Sequence, residues 1–322
     1  MTFQTNIIPI PIASSKHRNA MDSYASHNKS KSTEHVYNAA WQKFTEWCDE
    51  HGYQLTHNLE ELANIVGCFL ADMASSGNLT VASLSTYLPG IKDHVRIEFG
   101  LELEHPNLKK VIHGIKRAHR APQTKKRGLL AEDLKAILPR ADSSVLADVR
   151  DRSLLLLGFS AGLRRSELVG IDVEHLELCR QGLSICIPYS KTDQLGTGQH
   201  VEVPRKPHSN NCPVVALERW LAASAITSGP VFRGVNRHGQ LAEARLTGTA
   251  VALIIKKHGA LLFDASNLSG HSLRRGFVLD ALASGASEAA VINTTRQVPS
   301  TLRHYASEKK NWRVNALHKI DL

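Results

Sequence analysis

The clearest early period in the chain is helical. From 33 to 51, in TEHVYNAAWQKFTEWCDEH, apolar side chains fall at Val36, Ala40, Phe44 and Trp47. Steps of three and four place them on one face, with polar residues around the rest. Further stretches with this spacing run at about 59–76, 81–98 and 107–120. They predict a small all-α unit over 31–120. The residues before it, 1–30, are rich in Ser, Asn, Lys and Pro and hold no period, so a flexible arm is expected there. Its short apolar run is broken by Pro9 and Pro11, too short to span a bilayer and unlike a signal peptide.

A second unit begins near Leu130. Helices are expected at about 131–138 and 143–162. The period then changes from helical to alternating in LSICIP (183–188) and HVEVP (200–204). The Gly-containing stretch YSKTDQLGTGQ between them makes the pair a β-hairpin. Helices resume near 213–225, 246–258, 272–285 and 287–294, and a last short one carries Tyr305. This second unit is expected over 130–310, with a tail at 311–322. No long internal repeat is present. The fold class that follows is mainly α: a helical N-terminal domain and a mixed, mainly α domain with a small antiparallel sheet.

Charge sharpens this outline. With 39 Lys and Arg against 30 Asp and Glu, the chain carries a formal +9, while 42% hydrophobic residues suffice for two cores. A basic excess favours a polyanionic partner and says nothing about fold. Much of it is concentrated in HPNLKKVIHGIKRAHRAPQTKKRG, residues 105–128, which holds Lys109, Lys110, Lys116, Arg117, Arg120, Lys125, Lys126 and Arg127 and no acid. Its second half, with Pro122 and Gly128, reads as a basic linker over 121–129. A solvated helix and hinge would account for it; phosphate contact accounts for it better, because like charge at this density is costly without a polyanion. The five cysteines form no C-x-x-C pair and are odd in number, as expected of buried thiols in a reducing cytoplasm. With no membrane-spanning run, a soluble cytoplasmic protein is expected.

Three motifs carry candidate chemistry. In AGLRRSELVGI, Arg164 and Glu167 lie three apart on an expected helix, so the carboxylate can orient the guanidinium. In SGHSLRRGF, His271 and Arg274 have the same spacing. Tyr305, in STLRHYA, follows His271 by 34 residues, and Lys191 sits at the tip of the hairpin between the first two motifs. Each is weak alone; their order and spacing together are specific.

In that order the motifs resemble the tyrosine recombinases, the integrase family of site-specific DNA recombinases. The likeness covers roughly residues 30–310. Gly162 to Glu167 matches the family's G-L-R-x-x-E helix, Lys191 its hairpin lysine, His271 and Arg274 its H-x-x-R pair, and Tyr305 its nucleophile. The N-terminal helices resemble the family's core-binding, SAM-like domain, and the second unit its DNA breaking-rejoining domain. Three positions depart. Arg296, nine residues before Tyr305, stands where the family usually has His or Trp, with Thr295 in place of the usual Gly. Arg275 stands where a second His often follows H-x-x-R.

The residue types suit phosphoryl transfer. Attack by a phenol oxygen on a phosphodiester builds negative charge on the non-bridging oxygens. Two guanidiniums, Arg164 and Arg274, can clamp those oxygens and stay charged throughout. No metal or other cofactor is then called for, and the sequence offers no carboxylate cluster to hold one. A phenol with a pKa near 10 needs a proton acceptor at neutral pH, and His271 is the candidate. The resemblance implies that Lys191 protonates the leaving 5′-oxygen, and that Arg296 stands in for the usual donor to the phosphate. It also implies a double-stranded recombination site as partner, a homotetramer on DNA, passage through a Holliday junction, and in some systems an accessory DNA-bending protein. Two other readings share much of this pattern: a type-IB topoisomerase-like enzyme, which the helical N-terminal unit disfavours, and a DNA-binding relative that has lost catalysis, for which Arg296 is the one support.

Overall fold

The structure, a computed structural model, describes residues 17, 29–77, 80–119, 125–141, 144–188, 198–206 and 208–306. Lys191, Arg120 and the tail 311–322 lie outside the described residues. The chain divides into two compact units, Met1–Gln123 and Thr124–Leu322.

The first unit holds four helices: α1 (Lys31–His51), α2 (Leu59–Ser75), α3 (Val81–Phe99) and α4 (Pro106–Ala118). Their starts follow from side chains that satisfy orphan amides of the first turn. Ser30 accepts from the Thr33 amide, Asn58 from those of Glu60 and Glu61, and Thr80 from that of Ser83. The apolar stripes then meet in one core around Phe44, Leu62, Val66, Phe69, Leu70, Ile91 and Val95. α4 is sharply two-sided. Leu108 is buried, and Ile112 and Ile115 pack against the core, while Lys109, Lys110, Lys116 and Arg117 are exposed.

The second unit is built around α6 (Leu146–Ser160), whose Leu154, Leu155 and Leu157 are fully buried. Around it lie α5 (Ala131–Ile137), α7 (Arg165–Gly170), α8 (Pro213–Ser224) and α9 (Gly248–Gly259). α10 (Ser272–Ala283), α11 (Glu288–Thr295) and α12 (Pro299–Ala306) follow. Strands β1 (Leu176–Leu178), β2 (Gly182–Ile187) and β3 (Gln199–Pro204) form one antiparallel sheet. Leu183 faces Val203 and Ile185 faces Val201, so the alternation in the sequence becomes one buried face. A second sheet pairs β4 (Arg233–Val235) with β5 (Leu241–Arg245). The sequence reading did not find it, because four of the five β5 residues are exposed and leave no apolar period.

The basic stretch enters this unit earlier than the sequence suggests. The Arg127 amide donates to Asn267 O (2.7 Å) and the Leu129 amide to Ser272 O (2.9 Å), while Lys126 Nζ donates to Ser266 O (2.8 Å). The Arg127 guanidinium lies 3.8 Å from the centroid of the Phe263 ring. Here the chain runs backbone to backbone over α10 at Gly276, where a Cβ would lie 1.6 Å from Leu129 O. Residues 126–129 are therefore part of the catalytic unit's wall. The cysteines also differ from expectation: Cys48 and Cys212 are buried, but Cys68 and Cys179 are exposed. Burial, with Asp49 beside it, pushes the Cys48 thiol up to about 11, so it is inert at neutral pH. Among the described residues no helix is long and apolar enough to cross a membrane.

Candidate active site

α6 ends in a tight turn. Gly162 has φ +55°, in the left-handed region that favours glycine, and a Cβ there would lie 2.8 Å from the Thr295 methyl. Leu163 is buried, and Arg164 follows in extended conformation as the residue that precedes α7. The sequence reading placed Arg164 inside a helix; it instead caps one. The pairing with Glu167 holds all the same, through backbone and side chain together. Glu167 Oε2 accepts the Arg164 amide (2.8 Å) and Oε1 accepts Arg164 Nη1 (2.5 Å).

Arg274, in the first turn of α10, is 5% exposed, and its Nη1 donates to Gly162 O (2.7 Å). That carbonyl is neutral, and among the described residues no carboxylate is bonded to the guanidinium. Burial, with the Arg164 charge and more weakly that of Arg296, pushes its pKa down to about 10 against the pull of Glu167. His271 is the residue before α10; it is exposed, and its amide donates to Ser269 Oγ (3.2 Å).

Arg296 ends α11 with φ +54°, one of two non-glycine residues with positive φ among the described ones. The left-handed position thus falls one residue later than the family's usual Gly, and Thr295 stays helical and buried, its hydroxyl donating to Val291 O (2.7 Å). The Arg296 side chain is 6% exposed. Its Nη2 donates to Glu167 Oε2 (2.7 Å) and its Nη1 to Thr294 O (3.2 Å). Burial lowers its pKa, and Glu167 opposes that. Beside it an open cavity of about 500 Å³ is bounded by Gln199 and His200 of β3 and by Ile292, Gln297 and Pro299. The base of the lysine-bearing hairpin therefore borders Arg296.

Tyr305, on α12, is half-buried against Val278, Val291 and Leu302 and within electrostatic reach of Arg274. The Arg275 guanidinium carbon lies 5.6 Å from its ring centroid. Sequence reasoning noted Arg275 as a departure from the family's second His and missed this contact. The structure thus brings Arg164, Glu167, Arg274, Arg296 and Tyr305 together, with His271 at the head of the Arg274 helix. In the basic stretch, Lys109 pairs with Glu104 (2.9 Å), while Lys116 borders an apolar groove with Ile112 and Ile115. A further cluster went unseen in the sequence: Asp148, Asp151 and His258 converge with ligand-type atoms within 4.8 Å of one another. Asp151 already accepts from Arg150 and His258, and Lys257 bridges it to Asp148, so a cation there would face two permanent positive charges.

The model of the phage integrase family matches residues 127–310. An integrase/recombinase xerD homolog of Selenomonas ruminantium is 32% identical over 299 residues, covering 91% of this chain and 86% of that protein. Tyrosine recombinase XerA of Pyrococcus horikoshii is 26% identical over 266 residues, 80% of this chain and 76% of that one. Among solved structures, a lambda integrase(75-356) dimer bound to a COC′ core site matches with a TM-score of 0.59 at 14% identity, covering 92% of this chain and 95% of that one. The Tn1549 transposon integrase in complex with transposon right end DNA matches at 0.59 and 13%, with coverages of 89% and 92%. At such identities these two likenesses are of fold.

Proposed function

This chain belongs to the phage integrase family and is a site-specific tyrosine recombinase, and on that premise we propose that it cuts and rejoins DNA through Tyr305. The observation that carries the assignment of residues is a charge imbalance. One buried carboxylate, Glu167, serves Arg164 and Arg296, and Arg274 stands beside them, bonded among the described residues to a carbonyl. Three guanidiniums against one carboxylate leave a surplus of two positive charges in a partly desolvated site, and a phosphodiester answers it.

In the proposed reaction Arg164 and Arg274 hold the non-bridging oxygens of the scissile phosphate. The Tyr305 oxygen attacks phosphorus, and His271 takes the phenol proton. The bond to the 5′-oxygen breaks, and Lys191 supplies that oxygen's proton. The product is a 3′-phosphotyrosyl ester and a 5′-hydroxyl. A 5′-hydroxyl from a second duplex reverses the step, so strands exchange through a Holliday junction without ATP. The exposed cations of α4 and the 125–127 segment contact the phosphate backbone. Four copies on two duplexes form the working assembly, with an accessory bending protein where the site requires one. The tail 311–322, which holds the apolar residues Trp312, Val314, Leu317 and Ile320, docks on a neighbouring copy.

The test is to trap the protein on genomic or element DNA, digest the DNA and sequence what remains covalently attached. A single recurring sequence with protein on its 3′ end is expected. Absence of any covalent product with the wild type contradicts the reading and leaves a DNA-binding relative without catalysis.

A further inference from the structure

Resting on that reading, we propose that Arg296 is a positioning residue. Through Glu167 it pins the turn that leads to Tyr305 onto Arg164, and it does not itself hold the phosphate.

Glu167 is shared between two parts of the chain that lie far apart in sequence. Oε1 takes the Arg164 side chain, and Oε2 takes both the Arg164 amide and Arg296 Nη2. Arg164 comes just before α7, and Arg296 comes just after α11, three residues before α12 begins. Loss of the Arg296 bond frees the turn at 296–298 from the helix that carries Glu167.

The turn needs such an anchor. Arg296 sits in the left-handed region, which a side-chain-bearing residue occupies only when its surroundings hold it there. Its Nε and the Gln297 Nε2 are buried and have no hydrogen-bond partner among the described residues. Thr295 packs its methyl against Gly162, which fixes the end of α11 but not the direction the chain takes after it. The ion pair to Glu167 supplies that direction, and Tyr305 follows nine residues later.

Charge pairing separates Arg296 from Arg274. Both are buried, yet Arg296 is bonded to a carboxylate, whereas Arg274 has a neutral carbonyl. Arg296 Nη2 is held by Glu167, its Nη1 by Thr294 O, and its Nε is sealed from solvent, so this side chain is committed to the turn. Arg274 has no bonded carboxylate among the described residues and can accept an anion.

The test uses the full chain and a nicked suicide duplex built on the trapped sequence. One version carries the ordinary scissile phosphodiester. The other carries a methylphosphonate, which removes the charge that a phosphate ligand would meet. Arg296→Ala should slow single-turnover cleavage by roughly 10²-fold, the cost of a small misplacement of reacting groups. The deficit should be the same on both substrates, with DNA affinity barely changed. Arg296→Lys should recover part of the rate, since an ammonium can still reach Glu167. Adding Glu167→Gln to Arg296→Ala should cost little more than the worse single change. A deficit that vanishes on the methylphosphonate makes Arg296 a phosphate ligand and overturns the proposal, as does wild-type cleavage by Arg296→Ala or full additivity with Glu167→Gln. If Arg296→Ala does not fold, Arg296→Lys and Glu167→Gln carry the same comparison. If the wild type forms no adduct, the recombinase reading fails, and urea unfolding of the same variants still decides whether residues 296 and 167 are coupled.

Discussion

Glu167 and Asp151 are carboxylates with side chains 1% exposed, and both sit among basic residues of the catalytic unit. Their surroundings differ in charge. Asp151 accepts Arg150 on Oδ1 (2.6 and 3.0 Å) and His258 on Oδ2 (2.9 Å), and Lys257 joins it to Asp148. Two acids meet two permanent cations and a histidine, so the cluster is close to neutral. Glu167 meets Arg164 and Arg296, with Arg274 adjacent, and remains two charges short. The first arrangement closes upon itself and holds α6 to α9. The second carries a surplus of positive charge among the described residues. Burial of a charge thus has two meanings in one domain, and the balance around it separates structure from chemistry.

Asp151→Asn should break the first cluster. It leaves Arg150 buried without its counter-charge, at a cost of about 3–5 kcal/mol in unfolding free energy by urea titration. Cleavage per folded molecule should stay at the wild-type level. Equal loss of cleavage and stability would erase the distinction between the two centres. The pH dependence of the same cluster is also set. Burial raises the Asp151 pKa, but the His258 hydrogen bond and Arg150 outweigh it, and the net shift is downward from 3.8. A carboxyl lowered in the folded state adds stability above its ordinary pKa. That stability is lost as pH falls through the lower folded value. Acid unfolding below about pH 4 should therefore be less steep in Asp151→Asn than in the wild type.

At the second centre the expectation is reversed. Arg164→Ala and Arg274→Ala should each lower the cleavage rate by about 10²–10³, or about 2.7–4 kcal/mol, the scale of removing one preorganised donor to a developing anion. Binding of the site should change far less, because many cations share it. Near-normal cleavage by either variant would remove the guanidinium from the phosphate clamp.

The smallest effect belongs to the first unit. Lys116→Gln with Arg117→Gln should weaken binding to any duplex and reduce the slope of log affinity against log salt by roughly 2. Lys126 should contribute less than its charge suggests, since Ser266 O already takes its ammonium. An unchanged slope would mean that this face of α4 meets solvent.

Sequence reading found these centres unequally, for physical reasons. Arg164, His271, Arg274 and Tyr305 stood out because their residue types recur in a fixed order and spacing. The helices of the first unit were legible because one face of each is apolar. The Asp151 cluster was not, since its members come from α6 and α9, over one hundred residues apart, with no shared motif. The Arg296 bond to Glu167 spans 129 residues and was equally hidden, although the oddity of an arginine at that position was plain. The contact of Arg127 with Phe263 turned part of an expected linker into wall, which composition alone does not reveal.

The central claim is that Tyr305 becomes the covalent link to DNA. Tryptic digestion of the trapped adduct, after nuclease trimming, should leave the 304–309 peptide HYASEK carrying a nucleotide 3′-phosphate on its tyrosine. Tyr305→Phe should form no adduct while still binding the same site. A nucleotide mapped to any other residue, or an adduct formed by Tyr305→Phe, would contradict the account.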